Sequence, residues 1–127
     1  MIHGVGVDLV DIPRLAERLD KQPKLINKLL SQTEQLYLQG KANAQLDVAY
    51  VAKRFAAKEA LSKALGLGLR SPITLQNISV LNDANGRPYF EFADELSRWL
   101  EQREIGQIHL SLSDTELVAQ AFVVIDQ

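Results

Sequence analysis

The 127-residue chain predicts an α+β fold in which a small, mostly antiparallel sheet packs against one long buried helix. Three observations lead there. The run Arg54 to Gly66 continues a helix that begins near Asp47 and is apolar nearly all round. Val48, Val51, Ala52 and Phe55 form one stripe, and Ala57, Ala60, Leu61 and Ala64 cover the opposite side. Both ends of the chain alternate with a period of two, and Asn85-Gly86 between two β-prone runs is a hairpin signal.

Composition narrows the function. A net charge of −2 argues against general nucleic-acid binding. The absence of cysteine excludes disulfides, a thiol nucleophile and cysteine-based zinc sites, as in a reducing compartment. With no apolar run of about twenty residues and no signal-peptide pattern, the expectation is one soluble, cytoplasmic domain over 1–127 with no membrane partner.

Ile2 to Val10 alternates as a strand, with Val5, Val7 and Leu9 on one side and Gly4, Gly6 and Asp8 on the other. The glycine side is nearly bare until the carboxylate, a pattern that marks close approach of another backbone or of a ligand. Asp8 could equally end the strand and cap a turn. Asp11 and Pro13 read as a helix start, for a helix from about Pro13 to Leu19. Pro23 interrupts it, and a second helix from about Lys24 to Leu30 buries Leu25, Ile26, Leu29 and Leu30. Arg14, Arg18, Lys21, Lys24 and Lys28 outnumber Glu17 and Asp20 here. This basic stretch is either a solvated helical face or a dock for an acidic partner. Ser31-Gln32-Thr33-Glu34 can cap a short helix through Leu38, ended by Gly40, and a polar loop leads on to the long helix.

Gly66 suits a left-handed exit from the long helix. The loop Gly66-Leu67-Gly68-Leu69-Arg70 is neither a P-loop nor a dinucleotide fingerprint, because a helix ends there rather than starts. Leu75 to Leu81 and Arg87 to Phe92 are the strands of the hairpin. Asp94 to Arg103 is an amphipathic helix built on Leu96, Trp99 and Leu100, stopped by Gly106. Gln107 to Ser113 sends Ile108, Leu110 and Leu112 to the core and leaves His109, Ser111 and Ser113 on the other face. After a turn at Asp114 to Glu116, Leu117 to Ile125 is the final strand. No glycine elbow accompanies either serine, so these groups suit a phosphate better than nucleophilic catalysis.

The anomaly lies in the long helix. Glu59 continues the stripe of Val51 and Phe55, and Lys63 follows one turn later, where apolar side chains are expected. On an exposed helix such a pair would add roughly 0.2–0.5 kcal/mol. In a buried helix the carboxylate needs a partner, a cation or a metal, and a second carboxylate elsewhere would make a magnesium site.

Taken together, Gly6-Val7-Asp8-Leu9-Val10-Asp11-Ile12 with Arg14, Arg54-Phe55-Ala56-Ala57-Lys58-Glu59-Ala60 with Lys63 and Gly66, Asn85-Gly86-Arg87-Pro88, and His109-Leu110-Ser111-Leu112-Ser113-Asp114 resemble the small bacterial holo-acyl-carrier-protein synthases of the 4′-phosphopantetheinyl transferase superfamily. The match runs from end to end in order and spacing.

The resemblance implies the 4′-phosphopantetheinyl transferase fold and transfer of the phosphopantetheine arm from coenzyme A to a serine of acyl carrier protein, for fatty acid biosynthesis, with release of adenosine 3′,5′-bisphosphate. It implies Asp8 and Glu59 as ligands of Mg2+ and Lys63 on a pyrophosphate oxygen. Arg54, Gly66, Gly68, Arg87, Pro88, His109 and Ser111 would lie along the nucleotide, with Arg87 and His109 as contacts of the 3′-phosphate. Arg14, Arg18, Lys21, Lys24 and Lys28 would form the carrier-protein dock, in a homotrimer with sites between subunits. Glu59, Asp8 or a metal-bound water could accept the serine proton. Leu67 and Leu117 depart from the family's frequent threonine and aromatic. Two rival readings use the same residues: a magnesium-dependent phosphohydrolase with water as nucleophile, and a non-catalytic module that binds a nucleotide or an acidic partner.

Overall fold

The alternating segments from the two ends of the chain pair with each other. In the computed structural model, which describes residues 1–40 and 46–127, β1 (Ile2–Asp11) runs antiparallel to β5 (Val118–Asp126), and β5 antiparallel to β4 (Ile108–Asp114), in the order β1-β5-β4. Between them come α1 (Ile12–Lys21), α2 (Leu25–Leu29), α3 (Gln32–Gln39), α4 (Val48–Leu65), β2 (Ile78–Asn82), β3 (Pro88–Phe92) and α5 (Asp94–Gln102). The hairpin β2-β3 is a second, separate antiparallel sheet. Part of the loop expected before Asp47 lies outside the described residues.

The long helix α4 is the common core. Asp47 caps it by accepting from the Tyr50 N–H (3.0 Å), and Gly66 ends it at φ +78°. The bare face of β1 meets this helix: a Cβ on Gly4 would collide with the Ala64 carbonyl oxygen, and one on Gly6 with the Ala60 carbonyl oxygen. Glycine is therefore required for close packing of strand on helix. Ala119, Ala121, Val123 and Ile125 of β5 complete the buried layer. The other side of β1 remains exposed, with Val5 at 54% and Leu9 at 63%.

Two expectations change. The strand expected from Leu75 starts only at Ile78, because Thr74 accepts from the Asn77 N–H (3.3 Å) and caps a single 3-10 turn at Leu75–Asn77. The buried charges of α4 are not Glu59 and Lys63. Glu59 is half-buried and Lys63 exposed, whereas Arg54 and Lys58 are buried. The physical reason is where the packing partners lie: β1 covers Ala60 and Ala64, while α2, α3 and β2 close over Lys58.

Lys58 is held by Glu34. The expected capping box is present, with Ser31 Oγ accepting from the Glu34 N–H and Glu34 Oε1 from the Ser31 N–H (2.9 Å). Glu34 Oε1 also accepts from Lys58 Nζ (2.6 Å), and Oε2 from the Val80 N–H (2.8 Å). Lys58 further donates to the carbonyls of Leu29 and Leu75, both at 2.9 Å. All three ammonium protons thus have acceptors, which is what a wholly buried ion pair requires. Burial drives the Lys58 pKa downward and Glu34 opposes that shift.

Candidate active site

Asp8 projects from the glycine side of β1, so the same pleat that admits the helix backbone aims the carboxylate at α4. There Lys63 Nζ donates to Asp8 Oδ1 (3.1 Å) and to the Val7 carbonyl (2.9 Å). The Lys63 side chain is 54% exposed and that of Asp8 19%. Glu59, one turn before Lys63, faces the same space. Burial first and the Asp8 carboxylate second push its pKa upward, and Lys63 offsets part of this. Two carboxylates thus share one neighbouring cation, and that cation is itself in water.

This donor set fits magnesium. It offers hard carboxylate oxygens, and among the described residues no group of three histidine, cysteine or acidic side chains could hold a metal alone. A magnesium ion commonly takes one or two carboxylates and completes its shell with water and substrate oxygens.

A cleft of about 500 Å³ opens beside the cluster, lined by Asp8, Glu59 and Phe55 and by Leu15, Arg14 and Arg18 of α1. Asp11 caps α1 by accepting from the Arg14 N–H (3.0 Å), which fixes this helix directly after Asp8. Arg14, Arg18 and Lys21 are spaced to share one helical face. Lys24 and Lys28 instead line a separate groove of about 450 Å³ with Pro23 and Leu25. The basic stretch is therefore divided between two places.

The residues expected along a nucleotide form two groups. Arg54 lies 4.0 Å from the centre of the Tyr50 ring and donates from Nη2 to Asn82 Oδ1 (2.7 Å), while its Nε is buried without a partner. Asn82 pairs with Pro88 across the hairpin, so Arg54 rests against the base of the turn that carries Arg87. In that turn Asp83 Oδ1 accepts from the N–H groups of Asn85 (2.8 Å) and Arg87 (2.9 Å), and Gly86 takes φ +83°. Gly66 and Gly68 have open space where a Cβ would stand.

His109 and Ser111 are not brought to this group within one chain. In register, Ser111 stands beside Phe122 and Val7, and His109 beside Val124 and Val5, whereas Asp8 stands beside Ala121 and Leu112. Because neighbours across a ladder share a face, His109 and Ser111 lie on the outer face, opposite Asp8. His109 Nε2 is 2.8 Å from Asp126 Oδ2 there. Among the described residues no helix is long and apolar enough to cross a membrane.

Sequence reasoning missed the Glu34–Lys58 pair and Asn82. Ser31-x-x-Glu34 did signal the position of Glu34, but its second role needs the fold of β2 and α4 over it. For Asn82 no local signal exists, since its partner Arg54 is 28 residues away.

The likeness to known proteins covers the chain. A family model described as the 4′-phosphopantetheinyl transferase superfamily matches residues 4–121. A holo-[acyl-carrier-protein] synthase of Nitrosomonas eutropha is 44% identical over 128 residues, with 100% of both chains covered. The crystal structure of the Neisseria meningitidis holo-[acyl-carrier-protein] synthase superposes with a TM-score of 0.92 at 38% identity, again over 100% of both chains. A Bacillus anthracis holo-(acyl-carrier-protein) synthase in complex with CoA (3′,5′-ADP) gives a TM-score of 0.79 at 34% identity, covering 98% of this chain and 96% of that one. The antiparallel sheets around a buried helix, the carboxylates converging at the end of β1 and these matches agree, and the chain belongs to the 4′-phosphopantetheinyl transferase superfamily, among its holo-acyl-carrier-protein synthases.

Proposed function

We propose that this enzyme, as one domain in the cytoplasm, transfers the 4′-phosphopantetheine arm of coenzyme A to a serine of apo acyl carrier protein and releases adenosine 3′,5′-bisphosphate. The serine oxygen forms a bond to the arm's phosphorus as the pyrophosphate P–O bond to the departing adenosine 3′,5′-bisphosphate breaks, and the serine proton passes to Glu59, Asp8 or a water at the site. One observation carries the reading: Asp8 and Glu59 converge at an open cleft that Arg14 and Arg18 also line.

The pyrophosphate is negative, so the site must neutralise it and hold the incoming hydroxyl in line. Magnesium held by Asp8 and Glu59 would, when bound, supply the positive charge that these oxygens lack. Lys63, now on Asp8 and the Val7 carbonyl, is exposed and long enough to turn to a pyrophosphate oxygen. Arg54, Gly66, Gly68, Arg87 and Pro88 would follow the nucleotide. The unpartnered buried Nε of Arg54 supports an anion there, because an unmatched guanidinium group is costly.

His109 and Ser111 join this site only from another copy of the chain. The exposed Val5, Val7, Leu9 and Phe122 on their face support such an assembly, and a homotrimer closes it. Arg14, Arg18 and Lys21 would receive an acidic carrier helix at the cleft, with Lys24 and Lys28 extending the contact along their own groove.

Mass spectrometry tests the reading directly. Apo acyl carrier protein incubated with coenzyme A, magnesium and this protein should gain the mass of the arm on its serine. Coenzyme A cleaved in the absence of carrier protein, with no modified carrier in its presence, would establish the phosphohydrolase instead. Reversing Arg14 and Lys24 to Glu should raise the carrier-protein KM and flatten its salt dependence, since exposed charges act over a Debye length of about 8 Å.

A further inference from the structure

Arg54 is the one buried cation of α4 that lacks an anionic partner: among the described residues no carboxylate lies within ion-pair distance of it, while Lys58 one turn later has Glu34. What orients its guanidinium is neutral. Tyr50 supplies an aromatic face, and Asn82 Oδ1 accepts from Nη2 at 2.7 Å. The other end of the same amide is also engaged, with Asn82 Nδ2 donating to the Gly86 carbonyl at 3.0 Å.

Asn82 therefore ties the buried end of Arg54 to the turn at 83–87. That turn is already closed from within, because Asp83 Oδ1 binds two of its N–H groups and the Gly86 N–H donates to the Asp83 carbonyl (3.0 Å). Asp83 follows Asn82 directly, but its Oδ1 is committed to the turn and not to Arg54. One side chain thus links the guanidinium of Arg54 to the turn that carries Arg87.

We infer that Asn82 is a positioning residue that fixes Arg54 and the Arg87 turn as two jaws of a single phosphate clamp. A neutral amide is the chemistry this requires. It holds a guanidinium group by one acceptor and leaves the positive charge available to a phosphate. A carboxylate in its place would make a charge-assisted pair and neutralise the cation before the ligand arrives. The inference rests on the reading that Arg54 and Arg87 meet the nucleotide of coenzyme A.

The experiment compares Arg54→Ala, Asn82→Ala and Asn82→Asp with the unaltered protein. Adenosine 3′,5′-bisphosphate binding is read by titration calorimetry and coenzyme A kinetics at saturating carrier protein. Asn82→Asp should weaken bisphosphate binding by about ten- to a hundredfold, the worth of a charge-assisted hydrogen bond. Asn82→Ala, which frees the guanidinium without neutralising it, should weaken binding several-fold less than Asn82→Asp does. In both, the change should fall mainly in the coenzyme A KM and little in kcat, a split that general loosening of the fold would not give. Adding Arg54→Ala to Asn82→Asp should cost nothing further.

If Arg54→Ala itself binds the bisphosphate normally, the underlying placement of the nucleotide is wrong. If Arg54→Ala weakens binding but Asn82→Asp does not, the nucleotide placement stands and the positioning role of Asn82 is overturned. Melting temperatures of all variants are compared; should Asn82→Asp fail to fold, Asn82→Ala decides on the same KM and kcat split.

Discussion

Lys58 and Glu59 are neighbours on one helix and have opposite electrostatic fates. Lys58 enters a closed arrangement: three acceptors for three protons, no exposure, and a carboxylate that is itself held by two backbone N–H groups. Glu59 enters an open one, with burial first and a second carboxylate next pushing its pKa up, and with the cation that offsets them, Lys63, half in water. A charge whose valences are all met inside the chain holds the chain together. One left short of partners is available to a ligand. The distinction comes from which elements close over each side chain, since helical rotation of about 100° sends the two residues to different neighbours.

Breaking the closed pair should have the largest effect. Lys58→Met leaves Glu34 buried without its cation and should cost about 3–5 kcal/mol in urea denaturation. That is a large share of the roughly 5–15 kcal/mol that holds a typical domain together. Adding Glu34→Gln should recover part of the loss, because the amide keeps an acceptor for Val80 without a charge, and the double-mutant cycle would measure the coupling. Stability unchanged in Lys58→Met would remove the distinction at its root.

The open cluster should respond in the opposite currency. Glu59→Gln should lower the transfer rate by about a hundredfold or more, the scale of losing charge stabilisation at a phosphoryl group, with the far-UV dichroism unchanged. A fully active Glu59→Gln protein would leave Asp8 alone as a candidate ligand and dissolve the site as described.

This contrast also marks what the sequence could and could not tell. The bare face of β1, the helix apolar all round and the Ser31-x-x-Glu34 box are local patterns, and each appears where expected. The meeting of Asp8 with Glu59 and Lys63 was legible through family resemblance, because the motif keeps their order. Burial of Lys58 rather than Glu59 was not, since both lie on an apolar helix and only the non-local packing of α2, α3 and β2 chooses between them. The division of the basic stretch escaped for a similar reason: Pro23 breaks the helix, and the angle between the two pieces is set by tertiary contacts. The alternation of β4 does separate His109 and Ser111 from the core face, but that they lie opposite Asp8 follows from the register of β1 and β4 on β5.

A smaller effect separates charge that serves a ligand from charge that serves neither fold nor nucleotide. Lys63→Ala should raise the coenzyme A KM by about tenfold, the loss of one charge-assisted hydrogen bond. Lys21→Ala, at the exposed end of α1, should leave it within about twofold. Titrating coenzyme A at saturating carrier protein separates the two. Equal shifts would mean that the open cluster has no more claim on the nucleotide than a distant surface lysine.

The smallest effect tests whether the ionised form of Glu59 is disfavoured in metal-free protein. Its pKa is raised from the ordinary 4.5, by burial first and Asp8 second, so the folded state binds the proton more tightly than the unfolded chain. Stability linked to such a group is complete below its ordinary pKa and is lost as pH rises through the folded value. At neutral pH the ionised Glu59 should therefore make the native protein slightly less stable than Glu59→Gln. The group keeps contact with water, so the difference should be at most about 1 kcal/mol, or about 2–4 °C in Tm. It should vanish well below the ordinary pKa of 4.5, where Glu59 is protonated in both states, and widen when Lys63→Ala removes the cation that offsets it. Added magnesium should then raise the Tm of the native protein more than that of Glu59→Gln, because a ligand that binds only the folded state stabilises it in proportion to its affinity. Melting curves for the two proteins that stay level with each other from about pH 4 to about pH 8 would mean that Glu59 feels neither its burial nor Asp8. The open cluster would then be as well satisfied as the closed pair one residue away.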